Sequence, residues 1–77
     1  MTTKKNKRED DAINRFGSNV RKHRMALGLT MTELAAKCDV DYKQISNMEL
    51  GTNDPSLSMV VIVARGLGVT VGELVDA

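Results

Sequence analysis

Two short helical segments joined by a tight turn are predicted for residues 30–51, TMTELAAKCDVDYKQISNMELG. Thr30, followed three residues later by Glu33, forms a capping box that begins the first segment. Asp41 and Gln44 form a second capping signal after a turn at residues 39–40. The apolar side chains expected at the crossing are Leu34, Cys38, Val40, Ile45 and Met48, with Ala35 as the small residue there. This is the plan of a helix-turn-helix unit, whose second helix lies in the major groove of DNA.

One helix is predicted before this unit and two after it. The first runs from about Asp11 to about Leu27, and its apolar residues at helical spacing are Ile13, Phe16, Val20 and Leu27. Helix 4 begins either at Ser56 or at Asp54 with Pro55 as its first residue, and it ends at Gly68. Its predicted core face consists of Leu57, Val60, Val63, Ala64 and Leu67.

The last helix is predicted from a third capping box, Thr70 with Glu73, and continues through Leu74 and Val75. The β-branched run at residues 60–63 is also compatible with a strand, but the flanking caps and the 3.6-residue spacing favour a helix. The predicted fold is therefore all-α, with five helices and the helix-turn-helix in helices 2 and 3.

Composition limits the chain to a single small domain. Its 77 residues leave no room for a second core, and its only aromatic residues are Phe16 and Tyr42. The single cysteine excludes an internal disulfide, and with one histidine it leaves no metal cluster and no catalytic pair. No apolar run approaches the ~20 residues of a membrane span. We expect a cytoplasmic protein with no enzymatic activity, cofactor, metal or small-molecule substrate.

Charge is distributed unevenly along the chain. Residues 1–25 hold eight basic and three acidic residues, a net charge of +5, whereas residues 26–77 carry a net charge of −4. Residues 1–10 are predicted to be a flexible basic arm, and residues 11–77 the DNA-binding domain. The arm's basic side chains, Lys4, Lys5, Lys7 and Arg8, either contact DNA or only solubilise a disordered tail. A basic front half is suited to a polyanion.

From about Phe16 to Val75, the chain resembles the lambda-repressor-like (Xre-type, Cro/CI) helix-turn-helix family. The segments that carry the resemblance are Gly28-Leu29-Thr30, Glu33-Leu34-Ala35, Val40, Ile45-Ser46, Glu49, Gly51, Pro55-Ser56-Leu57 and Leu67-Gly68-Val69. The resemblance implies a five-helix DNA-binding domain that regulates transcription, usually as a dimer. The family includes phage repressors, restriction–modification controller proteins and antitoxins.

Three positions depart from the family pattern. Met31 replaces a glutamine that contacts a phosphate, and Asp39 replaces a glycine in the turn. The loop at residues 52–54 is not basic. These departures indicate fewer phosphate contacts than is usual in the family.

The candidate DNA contacts lie on helix 3 and around it. By resemblance, the base-contacting positions are Tyr42, Lys43 and Asn47, and Gln44 is added because it is exposed on the same helix. Candidate phosphate donors are Thr30, Thr32, Ser46, Thr52 and Asn53, although capping or simple solvation explains each of them equally well. The resemblance also implies a structural ion pair between Arg24 and Glu49.

Helix 4 has more apolar side chains than one core needs. Met59 and Ile62 are expected on its outer face, and with Val71 and Val75 they form a candidate homodimer interface. A loosely covered core is the alternative explanation. A twofold dimer would place two recognition helices about 34 Å apart and would select an inverted repeat in double-stranded DNA.

Two functions follow from these predictions. The first is a dimeric, sequence-specific transcriptional regulator, autoregulatory because the chain shows no ligand-sensing domain, such as a restriction–modification controller or a phage-type repressor. RNA polymerase is a further candidate partner of such a regulator. The second is an antitoxin-like module that binds a partner protein through helix 4 and binds DNA secondarily.

Overall fold

Five α-helices account for the architecture of residues 8–76, the part of the chain that the computed structural model describes. Their bounds are α1 Asp10–Ala26, α2 Met31–Cys38, α3 Tyr42–Leu50, α4 Leu57–Leu67 and α5 Val71–Val75. Residues 8–76 contain no strand, so the all-α, five-helix prediction is confirmed. Lys4, Lys5 and Lys7 of the predicted arm lie outside the described residues.

Side-chain caps begin three of the five helices. The hydroxyls of Thr30 and Thr70 accept from the backbone N–H of Glu33 and Glu73 at 3.0 and 3.1 Å, and both glutamates bond back to the cap residue. Ser56 accepts from the N–H of Met59 at 3.1 Å, so α4 begins after Ser56 and not at Pro55. Residues 60–63 lie within α4, so they are helical.

The core is a single cluster to which every helix contributes. Its fully covered side chains are Val20, Leu34, Ile45, Val63 and Leu74. Two of the predicted inward-facing residues lie elsewhere. Leu57 is 74% exposed because it is the first residue of α4, one turn beyond the buried stripe, and Leu27 is 50% exposed because α1 ends before it. Arg24 takes the inward position one turn after Val20 on α1.

α1 is the central element, and it packs against α3, α4 and α5. Two of its polar side chains hold the end of α5. The Nδ2 of Asn19 donates to the carbonyls of Leu74 and Asp76, both at 2.9 Å, and the Nε of Arg15 donates to the carbonyl of Val75 at 3.1 Å. Five residues are too few for a stable isolated helix, so these bonds and the buried Leu74 hold α5 in place.

Candidate nucleic-acid interface

α3 has one buried and one exposed face. Ile45 is fully buried and Met48 is 3% exposed, so this pair fixes the helix on the core. Tyr42, Lys43 and Gln44, in its first turn, are all exposed, and Tyr42 is 52% exposed. The first turn of α3 is therefore accessible to an external partner.

A buried ion pair connects α3 to α1. The Nε of Arg24 donates to Oε2 of Glu49 at 2.6 Å, and its Nη2 donates to Oε1 at 2.9 Å. The two side chains are 10% and 3% exposed. The Nη1 of Arg24 donates to the carbonyl of Leu29 at 2.8 Å, so the guanidinium also holds the segment before α2. The hydrogen bond to Glu49 raises the pKa of Arg24, which keeps the guanidinium charged.

The backbones of α1 and α3 approach most closely at Gly17. A Cβ atom at this position would collide with the carbonyl oxygen of Met48 and would lie 3.1 Å from that of Glu49. The absence of a side chain at Gly17 therefore sets the distance between the two helices. The sequence pattern predicts Ala35 as the small residue at a helix crossing and does not indicate Gly17. The signal was available in the sequence, since a glycine inside an otherwise regular helical pattern usually has a packing reason.

The turn between α2 and α3 has the left-handed conformation that the family pattern implies. Asp39 has φ 57° and ψ 46°, and within residues 8–76 it alone of the non-glycine residues has a positive φ. Asp41 then precedes α3, and its N–H donates to Oε1 of Gln44 at 3.1 Å. The side chain of Gln44 thus has a capping role in addition to its predicted contact with a base.

Tyr42 and Lys43 make no side-chain hydrogen bond or ion pair with any other described residue. Their polar groups need no internal contact to be broken before they meet a ligand. Asn47 differs from them, since it is half-buried and its side-chain oxygen lies 3.2 Å from the hydroxyl of Thr52. The side chains of Tyr42 and Lys43 are thus free, whereas those of Gln44 and Asn47 already have an internal partner.

The candidate phosphate donors near this helix differ in how exposed their side chains are and in whether they already form internal hydrogen bonds. Thr32 and Asn53 are exposed, whereas Ser46 is half-buried. Thr30 uses its hydroxyl to cap α2. Met31, which stands where the family has glutamine, is half-buried and packs against the core. The structure therefore gives Met31 a packing role in place of a phosphate contact.

Arg8 brings the beginning of the described chain to the far end of α3. Its Nη2 donates to the carbonyl oxygen of Gly51 at 3.0 Å, and its Nε lies 3.4 Å from Oδ1 of Asp10. Gly51 is the left-handed residue that ends α3. Arg8 therefore lies next to the loop that follows α3.

The four residues predicted at a dimer interface do not share one surface. Met59 packs against the core and lines a hollow with Gln44 and Met48, whereas Ile62 lies over a shallow hollow with Leu57 and Val61. Val71 also packs against the core. Val75 is 40% exposed and lines a third hollow, between α1 and α4. The exposed Leu57 and the half-buried Val61 and Ile62 thus line one hollow on α4, and we call these three residues the α4 patch.

Residues 8–76 hold no group of three side chains positioned to bind a metal ion. None of the helices in the same range is long and apolar enough to cross a bilayer.

Comparison with known proteins agrees with this geometry. The family model described as "Helix-turn-helix" matches residues 20–74. A protein from Methanothermobacter thermautotrophicus named as an HTH-type transcriptional regulator is 43% identical over 49 residues, which are 64% of this chain and 71% of that protein. The control protein C.BamHI of Bacillus amyloliquefaciens is 34% identical over 62 residues, 79% of this chain and 76% of the relative.

Two solved structures have the same fold. The restriction–modification controller protein C.AhdI from Aeromonas hydrophila superposes with a TM-score of 0.77 at 29% identity, covering 80% of this chain and 94% of its own. The hypothetical transcription factor NHTF from Neisseria superposes with a TM-score of 0.82 at 27% identity, covering 97% of this chain and 86% of its own.

Proposed function

Because this chain belongs to the helix-turn-helix family and is a DNA-binding regulator of transcription, not an enzyme, we propose that it binds an inverted-repeat operator as a homodimer. The observation that carries the proposal is the division of α3 into two faces. Ile45 and Met48 fix the helix to the core, while the side chains of its first turn extend into solvent. A helix held in this way can enter a major groove without any rearrangement of the domain.

Sequence specificity comes from the first turn of α3. The ammonium group of Lys43 can donate to O6 and N7 of guanine. Tyr42 offers a ring edge to a thymine methyl or a hydroxyl to phosphate. Gln44 is placed beside them, with one of its amide atoms used for capping. We assign the base contacts to Tyr42, Lys43, Gln44 and Asn47.

Affinity comes from contacts between the protein and the phosphates of the DNA backbone. The exposed side chains of Thr32 and Asn53 and the half-buried Ser46 are the remaining candidate phosphate donors, because Thr30 and Thr52 already form internal hydrogen bonds. Arg8 lies beside the loop at residues 52–54, where it adds a positive charge. Each phosphate that is neutralised makes binding weaken with added salt, so the affinity should fall steeply between 50 and 200 mM salt.

Dimerisation uses the α4 patch. Leu57 is 74% exposed, and an apolar side chain so free of its own domain is available to a second copy. Twofold pairing of this patch is self-complementary, as a closed dimer requires. The two copies of α3 would then address two half-sites one helical turn apart.

The biological role proposed is that of a cytoplasmic controller that acts on its own promoter. C.BamHI is named as a control protein, and C.AhdI as a restriction–modification controller protein. Both resemble this chain over most of its length. RNA polymerase is a candidate partner when the dimer is bound beside a promoter.

The decisive experiment is an unbiased selection of duplexes by the purified protein at moderate salt, followed by footprinting upstream of its own gene. We expect an enriched inverted repeat that is also protected upstream. Lys43→Ala should weaken cognate binding by about 1–3 kcal/mol and relax one base position. Lys37→Ala is the matched control, because this exposed lysine lies beside Cys38 and Arg65 on the α4 side of the domain. Equal losses from both variants would contradict the assignment of Lys43.

The dimer is tested by Leu57→Glu in sedimentation, with Leu27→Glu as control, since both leucines are half or more exposed. Only the first variant should sediment as a monomer. If the unmodified chain is monomeric and selects no duplex, the antitoxin-like alternative is favoured.

A further inference from the structure

A hollow beside the α4 patch lies where the end of α2 meets α4. We call it the Gly66 hollow, and its lining residues are Lys37, Cys38, Ile62, Arg65 and Gly66. Ile62 also belongs to the α4 patch, so the two surfaces are continuous. Leu57, the first residue of α4, lies at one end of this continuous surface, and the Gly66 hollow lies at the other.

The floor of the Gly66 hollow is apolar and its rim is positively charged. A Cβ atom at Gly66 would collide with Sγ of Cys38, so the absence of a side chain there lets the thiol lie against the backbone of α4. Sγ also lies 3.9 Å from the carbonyl oxygen of Ile62. Lys37 and Arg65 are exposed, and neither forms an ion pair with another described residue. The hollow therefore suits an apolar side chain that is accompanied by a negative charge.

The α4 patch is by itself too small to hold two copies of the chain together. A stable interface buries about 800 Å² on each partner and involves about 20–30 residues a side, far more than the three residues of the patch. A dimer that uses the patch must therefore extend beyond it. The Gly66 hollow is a continuous extension, and it adds side chains from both α2 and α4.

Twofold pairing of α4 about Val61 brings the two ends of this surface together. In an antiparallel pair, a residue before Val61 meets residues at the same distance after Val61 in the second copy. Leu57 precedes Val61 by four residues and Gly66 follows it by five, which is about 6 and 7.5 Å along a helix axis. Each Leu57 is thus placed over the Gly66 hollow of the other copy.

Charge supports the same pairing. Asp54 is exposed, precedes Leu57 by three residues and forms no ion pair with another described residue. A second copy that inserts Leu57 therefore also brings a carboxylate toward Lys37 and Arg65. The apolar end and the hollow end of the surface are complementary in both shape and charge.

We propose that Leu57 of each protomer enters the Gly66 hollow of a second copy of this chain, so that the two α4 helices pair antiparallel about Val61. The proposal rests on the homodimer proposed above and specifies how its two copies are placed. It brings the side chains of Leu57 and Cys38 from different copies into contact across the interface.

The first test is disulfide cross-linking of the full chain under mild oxidation, at a concentration at which sedimentation shows a dimer. Leu57→Cys adds a thiol opposite Cys38 of the second copy. One control combines Leu57→Cys with Cys38→Ala, which leaves only the added thiol. The other is Leu27→Cys, which adds an exposed thiol after α1.

We expect Leu57→Cys to give about tenfold more covalent dimer than either control, because a disulfide forms only where the two Cα atoms lie within about 7 Å. Peptide mass analysis should find position 57 joined to Cys38. The unmodified chain should not cross-link, because the two Cys38 thiols lie in different hollows.

The second test compares Leu57→Lys with Leu57→Glu by sedimentation. Both variants put a charge into an apolar contact, so both should weaken the dimer. The added lysine is also repelled by Lys37 and Arg65, whereas the added glutamate is attracted by them. We expect the dissociation constant of Leu57→Lys to exceed that of Leu57→Glu by about tenfold at low salt, and we expect the ratio to shrink as salt is added.

Four results would overturn the proposal while leaving DNA binding intact. They are a dimer in which Leu57→Cys does not cross-link, cross-linking that persists with Cys38→Ala, equal dissociation constants for the two charged variants, and a monomeric chain that still binds the operator. Failure of the proposed function itself is distinguishable, because the unmodified chain would then sediment as a monomer and select no duplex.

Discussion

The guanidinium of Arg24 donates to both carboxylate oxygens of Glu49, at 2.6 and 2.9 Å, and so joins the last turn of α1 to the last turn of α3. Both side chains are almost fully covered by protein. Taking two charges out of water is costly, so such a pair need not add stability overall. Its fixed fork geometry instead orients α3 relative to the rest of the domain.

Removing one partner of this pair should be far more damaging than removing both. We expect Arg24→Met to cost about 3–5 kcal/mol of the free energy of unfolding, because it leaves the Glu49 carboxylate buried and unpaired. The double variant Arg24→Met with Glu49→Leu should recover most of that loss in urea unfolding, yet bind DNA more weakly than the unmodified chain. A double variant as unstable as the single one, or one with unchanged DNA affinity, would contradict the orienting role.

Gly17→Ala should destabilise the domain although alanine is the better helix former. The added Cβ would collide with the Met48 carbonyl, and backbone atoms cannot move away as a flexible side chain can. Gly72→Ala in α5 is the matched control, since its Cβ would meet only Asp76 and Thr70 at 3.5 and 3.7 Å, which are ordinary contacts. Thermal unfolding should show a loss for Gly17→Ala and a gain of up to about 1 kcal/mol for Gly72→Ala. A gain in both would show that α1 and α3 can separate freely.

Asp39→Gly should stabilise the domain by about 0.5–1 kcal/mol. Asp39 has a φ of 57°, a conformation that costs glycine nothing and costs most other residues energy. Its negative charge at the C-terminal end of α2 is also unfavourable. Asp39→Asn removes the charge while it keeps a side chain that tolerates this conformation, so the difference between the variants isolates the backbone term. Equal stabilities of the glycine and asparagine variants would assign the whole effect to charge.

The Cys38 thiol should react slowly in the folded protein. Burial raises its pKa, and the charge of Lys37 opposes that only partly. A raised pKa means that less thiolate is present at a given pH near 8, and the thiolate is the reactive form. Alkylation followed from pH 7 to 10 should therefore be slower in buffer than in urea, with its midpoint at higher pH. Identical profiles in the two solvents would contradict a buried thiol.

The sequence predicted the elements whose causes are local. The capping boxes at Thr30 and Thr70 fixed the beginnings of α2 and α5, because each depends on two residues three positions apart. Ile45 and Met48 were identified as the buried face of α3 from spacing alone. The contact between Arg24 and Glu49 could be named only by resemblance, since no local pattern links residues 25 positions apart.

Features that depend on how helices cross were not predictable in this way. The close approach at Gly17 is set by the angle between α1 and α3, which helical periodicity does not contain. Leu57 matches the apolar repeat of α4 but lies beyond the end of the core, so the pattern placed it inside and the structure places it outside. The contact of Thr52 with Asn47 requires the reversal at Gly51, and its residue types alone indicated two separate DNA contacts.

One face of α3 packs on the core and the other carries exposed side chains, and this division affects how the sequence of the protein can change during evolution. Tyr42 and Lys43 have no side-chain hydrogen bond or ion pair with the described residues, so we expect that exchanging them leaves the free energy of unfolding nearly unchanged and, under the proposed function, alters the preferred operator. Under the same proposal, single substitutions that the scaffold tolerates should give access to new target sites. The same property makes these two positions suitable for randomisation in a library that retargets the domain.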